Sequence, residues 1–120
     1  MFQAECHCGN IIMSADRSPL SVTRCNCSIC YRLGAIWAYY DSAEVVIQTG
    51  SSPVITYVWG EKSMTFHHCS KCGCATHYTK TESNGSELTA INIRMAPASI
   101  TDSIPVRDFD GAVTWKYVDE

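Results

Sequence analysis

Short apolar runs, several of them alternating with polar neighbours and closed by turn residues, occupy most of the 120-residue chain, a pattern that predicts strands rather than long helices. Residues 1–15 predict a strand interrupted by a turn at Cys6-His7-Cys8-Gly9, with Ile11 and Met13 alternating against polar neighbours. Ser28 to Leu33 leaves room for one or two helical turns, and the aromatic-rich Ala35 to Tyr40 predicts a buried strand. Val45 to Gln48 predicts another, closed by Gly50 and Ser51-Ser52-Pro53. Val54 to Trp59 and Met64 to His68 flank Gly60-Glu61-Lys62-Ser63, a predicted hairpin loop. Ala75 to Lys80 and Glu87 to Met95 flank Asn84-Gly85, a pair that accepts positive φ. Asp110-Gly111 predicts a last turn before a strand at Thr114 to Tyr117. No linker or repeat interrupts the series, so the expectation is one mainly β domain over residues 1–120.

Composition narrows the classes. Hydrophobic residues are 46% of the chain, ordinary for a globular protein, and nine basic against twelve acidic residues give a net charge of −3. No basic run marks a nucleic-acid surface, and no apolar stretch is long enough to span a membrane. The first residues lack the basic start and apolar stretch of a secretion signal. The expectation is a soluble, cytoplasmic protein with neither nucleic acid nor membrane among its partners.

The eight cysteines carry most of the chemistry, and they fall in tight groups: Cys6 and Cys8; Cys25, Cys27 and Cys30; Cys69 and Cys72, with Cys74 just beyond. Close spacing brings two thiolates to one ion and disfavours pairing them with each other, so metal is expected rather than a disulfide framework. Cys69-Ser-Lys-Cys72-Gly73 has the form of a zinc knuckle, whose glycine allows the positive φ that aims N–H groups at sulfur. Cys6 and Cys8, alternate residues of an extended segment, fit as its other two ligands, completing a closed structural site. Cys25, Cys27 and Cys30 offer three ligands and no equally obvious fourth. Two readings stand on the residues alone. One is an open, catalytic metal. The other is a second structural site completed by Cys74 or a histidine. Cys74 could point toward either metal, or simply be a small buried hydrophobe.

The ordered motifs ECHCG at 5–9, CNCSIC at 25–30 and FHHCSKCG at 66–73 resemble those of the glutathione-dependent formaldehyde-activating (GFA) enzymes, a family that includes centromere protein V. The resemblance implies a mainly β, Mss-like β-tent of small antiparallel sheets stapled by zinc. It implies two zinc ions per chain: a structural one on Cys6, Cys8, Cys69 and Cys72, and a catalytic one on Cys25, Cys27 and Cys30. The implied activity is that of a carbon–sulfur lyase condensing formaldehyde, or a related aldehyde, with glutathione or another small thiol.

Substrate contacts are less specific. Glutathione carries two carboxylates, and Arg94, paired with Asn92 on one face of the Glu87 to Met95 run, is a candidate cation. Arg24 and Arg32 flank the middle cluster. His77 is a candidate proton donor or outer ligand, although a satisfied buried histidine fits as well. His67 and His68 point to opposite sides, and His7 is expected in solvent. Trp37, Tyr39, Tyr40, Tyr57 and Trp59 are expected in the core. Two other classes of function stay open: a zinc-stabilised binding module, and a glutathione carrier without turnover.

Overall fold

The computed structural model describes residues 1–60 and 63–119. Glu61 and Lys62, the centre of the expected hairpin loop, lie outside the described residues. The chain is mainly β. Strands β1 (Phe2–Glu5), β2 (Ile11–Ala15) and β5 (Val45–Thr49) form one antiparallel sheet in the order β1-β2-β5. Eight strands form the other: β3 (Val22–Cys25), β4 (Trp37–Asp41), β6 (Val54–Trp59), β7 (Met64–Cys69), β8 (Ala75–Thr81), β9 (Glu87–Asn92), β10 (Val106–Asp110) and β11 (Lys116–Tyr117). Its order is β11-β10-β3-β4-β9-β8-β7-β6. All pairings are antiparallel except that of β3 with β10, which is parallel and sets Cys25 opposite Phe109.

Alternation along the strands explains why the large sheet has a core on each face. In β4, Ala38 and Tyr40 face the small sheet and join Ile11, Met13, Ile91 and Ile93 in one core. Trp37 turns the other way, joining Phe66, Tyr78 and Ala90 in a second core under helix α1 (Ser28–Leu33). Trp37 meets the Tyr78 ring edge-on at 4.7 Å and is wholly buried. Such rings supply both area and orientation, and removing one costs about 3–5 kcal/mol. Each core also carries cysteines: Cys6 and Cys69 in the first, Cys30 in the second.

The structure corrects several expectations. The run from Glu87 stops at Asn92, and Ile93–Met95 forms a 3₁₀ turn. Asn92 is the cause: its buried amide donates to the Ala75 carbonyl and accepts from the N–H groups of Ile36 and Arg94, which bends the chain out of the sheet. The last strand keeps only Lys116–Tyr117, because Trp115 takes a positive φ of 58°. Tyr57 and Trp59 are not core residues: both are about half exposed, since β6 is the edge strand of its sheet. A second short helix, α2 (Ala98–Thr101), leads into β10. Among the described residues, no helix is long and apolar enough to cross a membrane.

Candidate metal centres

The first centre is assembled by two turns. Cys6 directly follows β1 and Cys8 lies in the turn to β2, where Gly9, at φ 79°, donates its N–H to the Cys6 carbonyl. Cys69 ends β7, and Gly73, at φ 77°, donates to the Cys69 carbonyl and closes the knuckle. An L-residue with a Cβ pays a strain penalty at such φ values, so glycine suits both turns. The sulfurs of Cys6, Cys8, Cys69 and Cys72 lie within 4.8 Å of one another. Tetrahedral zinc with bonds of about 2.3 Å would separate its sulfurs by about 3.8 Å. Cys6 to Cys8 measures 3.7 Å and Cys8 to Cys69 measures 3.6 Å. The four sulfurs fit such an ion.

N–H donors already surround these sulfurs. Ile11 donates to Cys6 at 3.3 Å and Lys71 to Cys69 at 3.3 Å, while the Asn10 amide reaches Cys69 at 3.8 Å. Cys72 is held down to about 5. Burial raises it, but the N–H groups of Cys74 and Cys8 and the thiols of Cys6 and Cys69 outweigh burial. Cys8 moves the other way, to about 11. The Asn10 N–H lowers it, but burial and its own contacts with Cys69, Cys6 and Cys72 prevail. Thiols sharing protons in this way are poised to give them up to a cation. Cys74 settles beside this group: its sulfur accepts from the His7 N–H and touches Cys72. It therefore does not complete the second centre.

The second centre sits on the opposite face of the large sheet. Cys25 ends β3, Cys27 caps α1, and Cys30 is buried in the first turn, with Gly34 in the left-handed region ending the helix. Their sulfurs also lie within 4.8 Å of one another, and among the described residues no further cysteine, histidine or carboxylate joins them. Three sulfurs fit a thiophilic ion with one position left over. The Cys25 thiol falls to about 6, chiefly because the Cys30 thiol donates to it and also because the N–H groups of Cys27 and Gly111 do. Cys30 is pushed above the usual thiol range by that same donation and by burial. The Trp37 indole N–H reaches the Cys30 sulfur at 3.3 Å and fixes its position.

Residues far along the chain complete this centre. Asn26, between two of the cysteines, donates its amide to the Asp110 carboxylate at 3.1 Å and accepts the Ala112 N–H at 3.0 Å. The turn after β10 is thereby pinned over the sulfurs. A Cβ on Gly111 would lie 2.7 Å from the Cys25 sulfur, so only glycine fits without displacing that ligand. Sequence reasoning found the Asp110-Gly111 turn but not its target, which only the parallel pairing of β10 with β3 reveals. Asn26 had no signal beyond its place inside the motif.

A cavity of about 790 Å³ opens above Cys25, Cys27 and Cys30. Tyr39 and Tyr78 stand in its wall, Trp59 and Trp115 at its edge, and Lys80 of β8 and Glu82 just beyond that strand also line it. Burial pushes Tyr39 up to about 12 and Tyr78 higher still, so both phenols keep their protons at neutral pH. Arg94 and His77 do not line this cavity. Arg94 is exposed on the 3₁₀ turn. His77 pairs across the strands with Ile91 of the opposite core, stacks on His67 at 4.2 Å and bonds Thr76 through Nδ1. Arg24 is tied to Asp108 at 2.6 Å, and Arg32 turns back onto the Ser28 carbonyl.

Comparison with known proteins agrees with this architecture. A Rhodobacter sphaeroides protein solved by structural genomics superposes with a TM-score of 0.68 over 88% of this chain and 99% of its own, at 23% identity. That likeness is one of fold. No curated protein matches the sequence. The family profile of glutathione-dependent formaldehyde-activating enzymes matches residues 1–103, which hold all eight cysteines, and the chain belongs to that family.

Proposed function

We propose that the chain is a zinc-dependent carbon–sulfur lyase that joins formaldehyde, or a related aldehyde, to glutathione or another small thiol, with Cys25, Cys27 and Cys30 as its catalytic ligands. The observation that carries this reading is a set of three converging sulfurs, with no fourth protein ligand among the described residues, at the base of a cavity. Cys6, Cys8, Cys69 and Cys72 would hold a second, structural zinc. A catalytic zinc on three thiolates would supply a position at which a substrate thiol is held deprotonated.

The reaction is an addition that needs no redox partner. The substrate sulfur forms a bond to the carbonyl carbon, the C–O π pair moves to oxygen, and that oxygen takes up the proton the thiol gave up. The chain's own groups divide the remaining work. The Trp37 indole and the Gly111 N–H hold two of the ligating sulfurs in place. Tyr39, kept protonated and lining the cavity, would pass that proton to the carbonyl oxygen and regain it from the thiol. Aromatic walls displace water from around the new bond. A cytoplasmic setting belongs to the same reading, since thiol ligands need a reducing compartment.

NMR exchange spectroscopy tests the proposal by following interconversion of glutathione and its formaldehyde adduct. Acceleration by zinc-loaded protein, lost in Cys27→Ser, is the expected result. Full activity and full zinc content in Cys27→Ser would overturn the assignment of these cysteines.

A further inference from the structure

The cavity above Cys25, Cys27 and Cys30 is built for an apolar occupant. Its walls come from Trp59 at the sheet edge, Met64, Leu88, and Phe109, Trp115 and Tyr117 of the β10–β11 hairpin. Apart from the cysteines and tyrosines, the only ionisable side chains lining it among the described residues are Lys80 and Glu82. They lie two positions apart at the end of β8 and are opposite in charge. None of the five arginines lines it. A tripeptide thiol with two carboxylates asks for more than one cationic partner, and the sulfur floor itself is anionic.

The aromatic wall also comes from a segment outside the family match. That match ends at residue 103, and β10 and β11 lie beyond it. The hairpin is held firmly in place. Its Phe109 ring packs edge-on against Trp115 at 5.1 Å and Tyr117 at 5.0 Å, and the Tyr117 hydroxyl meets Thr23 at 2.8 Å. Trp115 takes its unfavourable positive φ while donating its N–H to the Asp110 carbonyl at 2.7 Å. The residue is nevertheless 66% exposed, and Trp59 is 45% exposed. Beyond its contact with Phe109 the Trp115 indole stays bare at the cavity edge, and a ligand ring against it would bury that surface.

From these features we infer that the preferred thiol carries an aromatic or arylalkyl body, with its sulfur at the three cysteines and its ring between Trp115, Phe109 and Trp59. Trp115 is then a specificity-determining residue. The inference rests on the lyase reading for its reacting groups, but its test does not require turnover.

Isothermal titration of zinc-loaded protein with phenylmethanethiol and with glutathione, no aldehyde present, measures the preference directly. Phenylmethanethiol binding about tenfold or more tighter is expected, a gap of about 1.4 kcal/mol. Trp115→Ala should lose about tenfold for phenylmethanethiol and less for glutathione, and Trp115→Phe should recover most of the loss. Exposure of this side chain keeps both variants folded, which circular dichroism verifies. Equal or tighter glutathione binding, or an unchanged phenylmethanethiol affinity in Trp115→Ala, would overturn the inference. Aromatic-thiol preference without exchange on any added aldehyde would support this specificity while removing the lyase reading. Glutathione–formaldehyde exchange together with a preference for glutathione would do the reverse.

Discussion

The two faces of the eight-stranded sheet carry the same element in different arrangements. On one face, four sulfurs from two turns close on each other beside the core shared by both sheets. On the other, three sulfurs converge on the Trp37 core and leave one side to a cavity. A metal on these four sulfurs would tie β1 to the end of β7, linking Cys8 to Cys69, 61 positions further along the chain, which is how a small core gains stability. Leaving a side open gives up a bond that stability could have used. It makes sense as a place for a ligand. What separates the two is the supply of a fourth cysteine: the first has Cys74 to spare beside it, the second has none.

The strongest way to break this contrast is to remove one ligand from each side. Cys69→Ser should cost more than about 5 kcal/mol, since apparent binding of structural zinc by small domains is worth ~10–16 kcal/mol. Cys27→Ser should keep a cooperative fold. Thermal melts with zinc analysis distinguish them, and equal losses would erase the distinction. A smaller effect is expected from Gly111→Ala, whose Cβ would push on the Cys25 sulfur. Zinc affinity at that cluster should fall about 10- to 100-fold while the other holds, as read by competition with a chromophoric chelator.

Acid sharpens the comparison further. Burial, with the neighbouring His67, holds His77 down at about 3, so the folded chain keeps this ring neutral. The unfolded chain takes up that proton near pH 6.5. Stability from the neutral ring is therefore full above that value and lost as pH falls toward 3, by about 2 kcal/mol at pH 5. Urea unfolding should show His77→Gln losing about that much less than the parent between pH 7 and pH 5, with loss of zinc common to both. The smallest effect belongs to Arg24→Ala. Its exposed pair with Asp108 lies outside the cavity, so turnover and zinc content should match the parent.

The cysteine clusters were legible in the sequence because ligand spacing is local: Cys-x-Cys and Cys-x-x-Cys force sulfurs together in almost any fold. Eight of the strands, β1, β2 and β4 to β9, were legible for the same reason, as alternation such as Ile11, Met13 and Ala15 is written in consecutive residues. What escaped depends on distant parts of the chain. Strand β3 is four residues merging into a cysteine motif, and its partner β10 lies more than eighty residues away. Trp59 has the pattern of a buried strand, and only sheet order reveals that β6 is an edge. Arg94 was drawn into a strand because nothing local announces that the Asn92 side chain will bond Ala75 and Ile36.

Cadmium NMR of the doubly loaded protein tests the asymmetry most directly. Two resonances are expected in the range of sulfur-rich sites. On titration with phenylmethanethiol, the one abolished by Cys27→Ser should move while the one from Cys6, Cys8, Cys69 and Cys72 stays fixed. If both resonances stayed fixed, or both moved, the division into a closed and an open centre would be contradicted.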